Sequence, residues 1–212
     1  MRGWHKYFVL ISVIFLIIAL YRGEYFHLPV IHNVPLLISS LVLLIFAFGS
    51  ASVTWYLILN RSEYPVRYID ALFSHFLSIF GKYIPGKFWA VFGRSVYIND
   101  KLGYPLHKVS TLSGINQLQV TWSGFAFGII GALLLNLEWY INALLLIGWL
   151  LLTILLFSRV CYDYLQSIIN FTFKKNYKLP FVGIRQTMFY IPFLILHWTI
   201  WFVAFYIFVL SV

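Results

Sequence analysis

Charge is the scarcest property of this chain. Only 10% of its 212 residues are Asp, Glu, Lys or Arg, while 62% are hydrophobic and 21% aromatic. A water-soluble domain carries about 25% charged residues. A chain this poor in charge cannot cover itself with polar surface, so its solvent is expected to be lipid. Acid is scarcer than base: six Asp and Glu stand against fifteen Lys and Arg, for a net charge of +9. In so apolar a sequence that excess is what cytoplasmic membrane loops produce. It is not read as a nucleic-acid surface, and no nucleic-acid partner is expected. Cysteine is limited to Cys161, which excludes an internal disulfide and a thiolate metal cage. His75 and His197 have no ligand residues at metal-binding spacing, so each reads as a hydrogen-bonded core histidine rather than a ligand. No nucleophile stands with a base in any recognisable pattern, so catalysis is not expected, and neither is a cofactor or metal. The amino-terminal apolar run ends in "IALYRGE", without a small-x-small cleavage pattern. It reads as an uncleaved first span.

Long apolar runs organise the rest. They cover residues 7–21, 34–60, 109–135, 139–158 and 187–212, each near or above the ~20 residues that a membrane helix needs. The fold class expected is therefore all-α: a polytopic membrane helix bundle of about five spans in a single domain, 1–212. Pro192 is expected to kink the last helix. Trp55, Tyr56, Trp139, Tyr140 and Trp149 fall near run ends, as interfacial aromatics do. The run 109–135 differs in carrying small and polar residues at helical spacing: Ser113, Gln117, Thr121, Gly124, Gly128 and Gly131. That stripe serves helix packing or lines a polar cavity, which Asn116, Gln117 and Gln119 would share.

Residues 68–98 do not fit a simple span. "YIDALFSHFLSIF" is apolar at helical spacing but reaches only about 20 Å at 1.5 Å per residue, against a hydrocarbon core of about 30 Å. After it come "GKYIPG" and a second short apolar piece, "FWAVFGRSVYI". Two half-length helices around a Pro-Gly break predict a re-entrant or broken-helix hairpin. Charge agrees. If the hairpin enters and leaves on one side, Arg2, Lys6, Arg61, Arg67, Lys101, Lys108 and the basic residues from Arg159 to Arg185 share the cytoplasmic side with the amino terminus. A single crossing would put Lys101, Lys108 and every basic residue from Arg159 to Arg185 outside. The positive-inside rule thus favours the hairpin, or two full crossings, over one. Glu63 and Asp70, at its entrance, are expected to pair with Arg61 or Arg67. "FKKNYKLP" reads as a solvated turn facing headgroups.

"GKYIPGK" matches the spacing of a phosphate-binding loop, G-x-x-x-x-G-K. Phe88 stands where Mg²⁺ needs Ser or Thr, Pro85 removes a backbone donor, and no strand precedes it. A nucleotide site is excluded on those grounds. Two readings remain. In one, Pro and Gly form an interfacial turn from which Lys82 and Lys87 snorkel to headgroups. In the other, a helix starting near Gly86 turns its N–H groups toward the break, Lys87 adds a positive charge, and Arg94 lies about two turns on. That would be an anion site in a broken membrane helix.

The run "GKYIPGKFWAVFGR", followed by "YINDKLGYPLHKVSTLSGINQLQVTWSG", resembles the transmembrane region of lysylphosphatidylglycerol synthases, a family that includes stand-alone flippase-like membrane proteins. Gly81, Lys82, Tyr83, Ile84, Pro85, Gly86, Lys87 and Trp89 match its motif, as do Gly93 and Arg94. The chain resembles a short member of that family, with "INQLQ" where members often carry an acidic residue. The resemblance implies a multi-pass protein of a bacterial or archaeal cell (inner) membrane, amino terminus cytoplasmic. It implies binding or translocation of anionic phospholipid or lipid-linked glycan headgroups. The residues implied at the lipid or anion site are Lys82, Tyr83, Pro85, Gly86, Lys87, Trp89 and Arg94. No aminoacyl-transfer domain is expected within these 212 residues, which spans and short loops use up. A non-transporting scaffold for a lipid or glycan biosynthetic enzyme is the alternative, and a homo-oligomer or a membrane enzyme partner stays open.

Overall fold

The computed structural model describes residues 4–23, 30–81, 89–173 and 183–212. Among these every element is an α-helix, with no strand, in the order α1 Trp4–Arg22, α2 Val34–Asn60, α3 Tyr68–Phe80, α4 Trp89–Leu102, α5 Leu106–Leu134, α6 Trp139–Phe157, α7 Arg159–Phe173 and α8 Ile184–Ser211. The expected all-α fold class is borne out. Four of the described helices, α2, α5, α6 and α8, are long and apolar enough to cross a membrane. They correspond to the second, third, fourth and fifth expected runs. They are the mark of a membrane-embedded protein. The first expected run lies in α1.

The helix ends follow local chemistry. Asn33 opens α2 by accepting the Leu36 N–H at 3.1 Å through Oδ1, with Pro35 in the first turn where its missing N–H costs nothing. Gly103 closes α4 in the left-handed region at φ 73, its N–H donating to Asn99 O at 2.8 Å. Asn136 does the same for α5 at φ 49, and the Leu137 N–H reaches back to Ala132 O at 3.0 Å.

The chain divides into two compact units, residues 1–113 with 196–212, and residues 114–195. In the first unit, α2 presents a buried row of Ala47, Ala51, Trp55, Ile58 and Leu59. The two alanines keep that face thin. Trp55 Nε1 donates to Ser74 Oγ on α3 at 2.9 Å. Phe48 meets Trp201 of α8 edge-on at 5.0 Å between centroids. His197 is a core histidine: its Nδ1 lies 3.1 Å from both Ser50 Oγ and Ala47 O of α2. Trp55, expected in an interfacial belt, is instead fully buried, because α3 and α4 cover that part of α2.

In the second unit, α5 packs on α6 through aromatic and small residues. Trp122 stacks on Trp149 at 5.8 Å, and its Nε1 donates to Thr153 Oγ1 at 2.8 Å. Phe125 lies over Gly148, and Gly128 faces Leu145. No residue of α6 is buried. The helix α7 was not anticipated: its residues were grouped with the basic segment 159–185. Ser158 separates it from α6 by a single extended residue. The Ser158 N–H closes α6 on Ile154 O at 2.9 Å, and its Oγ accepts from the Cys161 N–H at 3.4 Å to open α7.

Candidate functional site

The functional expectations centre on α3 and α4, both in the first unit. The two helices run antiparallel, side by side. Their lengths of 13 and 14 residues make them about 20 Å long, two-thirds of a hydrocarbon core. At one end the backbones almost touch. A Cβ added to Gly81 would lie 2.8 Å from Trp89 C, Trp89 O and Ala90 N. Glycine is required there because no side chain fits between the strands of backbone.

At the other end the pair is tied by charge. The Asp70 carboxylate, almost wholly buried, meets Arg67 Nε at 3.1 Å and Lys101 Nζ at 2.5 Å. Burial alone would raise its pKa, but hydrogen bonds from Lys101 and Arg67 more than offset this and hold it below the ordinary carboxylate value. Lys101 is correspondingly raised, first by its hydrogen bond with Asp70. The expected Asp70–Arg67 pair thus forms, with Lys101 as a second partner. Glu63 pairs with Lys108 at 3.9 Å. The flanking loops join the same end: Tyr104 OH donates to Pro65 O at 2.7 Å, and Asn60 Nδ2 donates to Val66 O at 3.0 Å. The last turn of α2 and the first of α5 therefore lie at the charged end of the hairpin.

Arg94 projects from the middle of α4 into protein. It is 2% exposed, with its guanidinium carbon 5.0 Å from the centroid of the Trp55 ring. Its Nη2 donates to Ser113 O of α5 at 3.2 Å. Ser113 Oγ donates in turn to Val91 O of α4 at 2.7 Å, so α4 and the start of α5 are stitched in both directions. A cation over an indole face in a desolvated setting gains about 2 kcal/mol.

The expected site residues divide as follows. Lys82, Tyr83, Pro85, Gly86 and Lys87 lie outside the described residues, as does the expected helix start near Gly86. Trp89 is the first residue of α4, half-buried and edge-on to Phe92 at 6.4 Å. Arg94 has Trp55 and Ser113 as neighbours. Trp55 had the signal of an ordinary belt residue and was not expected at the site, whereas Ser113 stood in the stripe read as packing or as cavity wall.

The polar residues of α5 belong to the second unit from position 114 onward. Asn116 and Gln119 are buried there, while Gln117 is exposed. Gln119 Nε2 donates to Thr187 Oγ1 of α8 at 2.8 Å. The buried polar row of α5 is thus Ser113, Asn116, Gln119 and Ser123, not the expected line through Gln117 and Thr121. The i, i+3 and i, i+4 steps of an α-helix share one face, so Asn116 and Gln119, named from the sequence as possible cavity lining, line up with Ser113, while Gln117 of the same set does not. Among the described residues no group of His, Cys, Asp and Glu is arranged to hold a metal ion.

No family model, curated protein or solved structure matches the chain.

Proposed function

We propose that this protein handles lipid: it binds anionic headgroups, of a phospholipid or a lipid-linked glycan, at the α3–α4 hairpin, in the manner of a flippase-like module. The observation that carries the reading is Arg94. A guanidinium is held almost without exposure on a half-length helix in a membrane protein, directly after a Pro-Gly-Lys segment. Ionisable groups kept inside membrane proteins are costly and mark binding or transport pathways by default. The Gly81 contact supports the reading, since it closes one end of two helices too short to span. The resemblance of residues 81–94 to the lysylphosphatidylglycerol synthase motif supplies the ligand class. On this reading the hairpin is re-entrant and its charged end, with Asp70 and Lys101, faces the cytoplasm. The amino terminus is cytoplasmic and the membrane is the cell's inner membrane.

Phosphatidylglycerol titration of purified protein in nanodiscs, followed by native mass spectrometry of retained lipid, tests it. A charge-assisted hydrogen bond is worth about 1.5–3 kcal/mol. Lys87→Gln should therefore weaken binding by roughly ten- to a hundredfold. Arg94→Lys keeps the charge but loses the planar fork, and should weaken binding less. Arg22→Gln, in the exposed last turn of α1, should change little. Equal affinity for wild type and Lys87→Gln would leave the scaffold as the better reading.

A further inference from the structure

The helix α7 carries an exposed surface of two chemistries. At 3.6 residues per turn, Val160, Tyr164 and Ile168 fall on one arc, and their exposures are 77%, 68% and 44%. Arg159, Asp163 and Ser167 are exposed as well, on the adjoining arc, with Gln166 and Asn170 at its edge. A helix that merely packed its apolar face on its own protein would expose only the polar arc. Here both are open. That is the pattern of a helix lying at a boundary between an apolar and an aqueous phase.

The position of α7 supplies that boundary. It follows α6, one of the four helices able to cross a membrane, after Ser158 alone. One extended residue spans at most about 3.6 Å. The first turn of α7 therefore cannot leave the membrane face at which α6 ends. Charge then selects among membrane surfaces. Around the helix the sequence places Arg159, Lys174, Lys175, Lys178 and Arg185 against Asp163 as the sole acid between 159 and 185. Basic residues beside an amphipathic helix are attracted to anionic headgroups.

We propose that α7 is an interfacial helix that rests on, and binds, the anionic headgroup layer of the membrane that α6 crosses. Val160, Tyr164 and Ile168 enter the acyl boundary. Arg159 contacts lipid phosphates, and the basic charge that the sequence places after α7 adds to the attraction of an anionic layer. This surface is separate in sequence and in chemistry from the hairpin, and it stands whether or not the hairpin binds lipid.

Full-length protein carrying Cys161→Ser and one new cysteine, at Tyr164, Ile168, Asp163 or Ser167, would be labelled with an environment-sensitive fluorophore. It would be reconstituted into nanodiscs of phosphatidylcholine, with or without phosphatidylglycerol. Quenching by aqueous iodide and by lipid brominated on the acyl chain reads the depth of each position. Labels at 164 and 168 should be quenched by brominated lipid and shielded from iodide, and labels at 163 and 167 the reverse. Phosphatidylglycerol should increase the contrast, and Lys174→Gln with Lys175→Gln should abolish that increase while leaving the phosphatidylcholine result unchanged. Equal iodide quenching at all four positions would overturn the interfacial placement. Contrast that phosphatidylglycerol does not change would overturn the anionic-lipid assignment. Shielding of 164 and 168 from both quenchers would put a protein, such as a second copy of this chain, on the face, and would also overturn it.

Discussion

The helices α4 and α6 solve opposite problems. In α6 no residue is buried and none is charged across 19 positions. In α4, Gly93, Arg94, Ser95 and Ile98 are buried within 14 positions, and Asp100 and Lys101 close the last turns. The hydrophobic content of α6 is satisfied by lipid, and its protein contacts come from Trp149, Thr153 and Gly148. The polar content of α4 is satisfied by protein: Trp55, Ser113 and Asp70 each take one of its groups. A membrane protein can thus place one helix by its solvent and another by its partners, and substitutions should respond accordingly.

The largest contrast should come from exchanging charge and apolarity. Ile147→Arg puts a cation on the exposed face near the middle of α6. It should cost about 2.5–3.5 kcal/mol in membrane insertion, seen as loss of membrane-integrated protein in a protease-protection assay. Arg94→Met loses the contacts with Trp55 and Ser113 but also the desolvation cost of a buried charge, so the melting temperature in detergent should change little. Its lipid retention should nonetheless fall. A melting temperature lowered by as much as the α6 substitution lowers insertion would make Arg94 a structural residue and erase the functional side of the comparison.

Two glycines give the next contrast. Gly81→Ala drives a methyl group into the backbone of Trp89 and Ala90, which can yield only by separating α3 from α4. Such overpacking costs about 1–3 kcal/mol. Thermal unfolding followed by tryptophan fluorescence should show it directly. Gly148→Ala would meet Phe125 Cε1 at 2.7 Å, a side-chain edge that can turn away. Because alanine also favours the helix by about 1 kcal/mol over glycine, that variant should unfold within a degree or two of wild type on this reasoning.

The smaller effect belongs to Asp70. Its folded pKa is depressed, so its pairing contributes stability that is present above the unfolded value of about 3.9 and is lost as pH falls through the lower folded value. Its two partners are largely open to solvent, so the contribution is about 1 kcal/mol or less. A melting-temperature profile should show an acid-side decline that is shallower in Asp70→Asn than in wild type. Identical profiles would detach the charge cluster from the stability of the hairpin.

The helical class and the four spanning helices were legible because run length is a one-dimensional signal. Residues 34–60 form a helix at the bounds the apolar run gives. The half-length of α3 was legible for the same reason. What escaped were facts of pairing and phase. Nothing local distinguishes Lys101 from Arg61 as the partner of Asp70, since the choice is made by the antiparallel packing of α3 and α4. Trp55 looked interfacial because its position near a run end says nothing of what covers it. Asn116 and Gln119 were named from the sequence, but which of them share a buried face with Ser113 was not, because glycines at 124, 128 and 131 suggested a four-residue step through Gln117 and Thr121. The helix α7 was missed for a different reason: the basic residues after it dominated the reading, although Val160, Tyr164 and Ile168 already carried a helical period.

Ser158 gives the molecule a constraint on phase. It is at once the last acceptor-satisfied residue of one helix and the cap of the next, so the junction holds no slack. Each residue turns an α-helix by about 100°. A single insertion beside Ser158 would therefore rotate α7 against α6 by roughly that angle, carrying Asp163 toward the position of Tyr164 and Ser167 toward that of Ile168. Composition and hydropathy would hardly change, yet, with α7 at the interface as proposed, the polar arc would turn to the bilayer. Length at this joint is information in its own right, and chains that share this architecture should vary here by substitution rather than by indel.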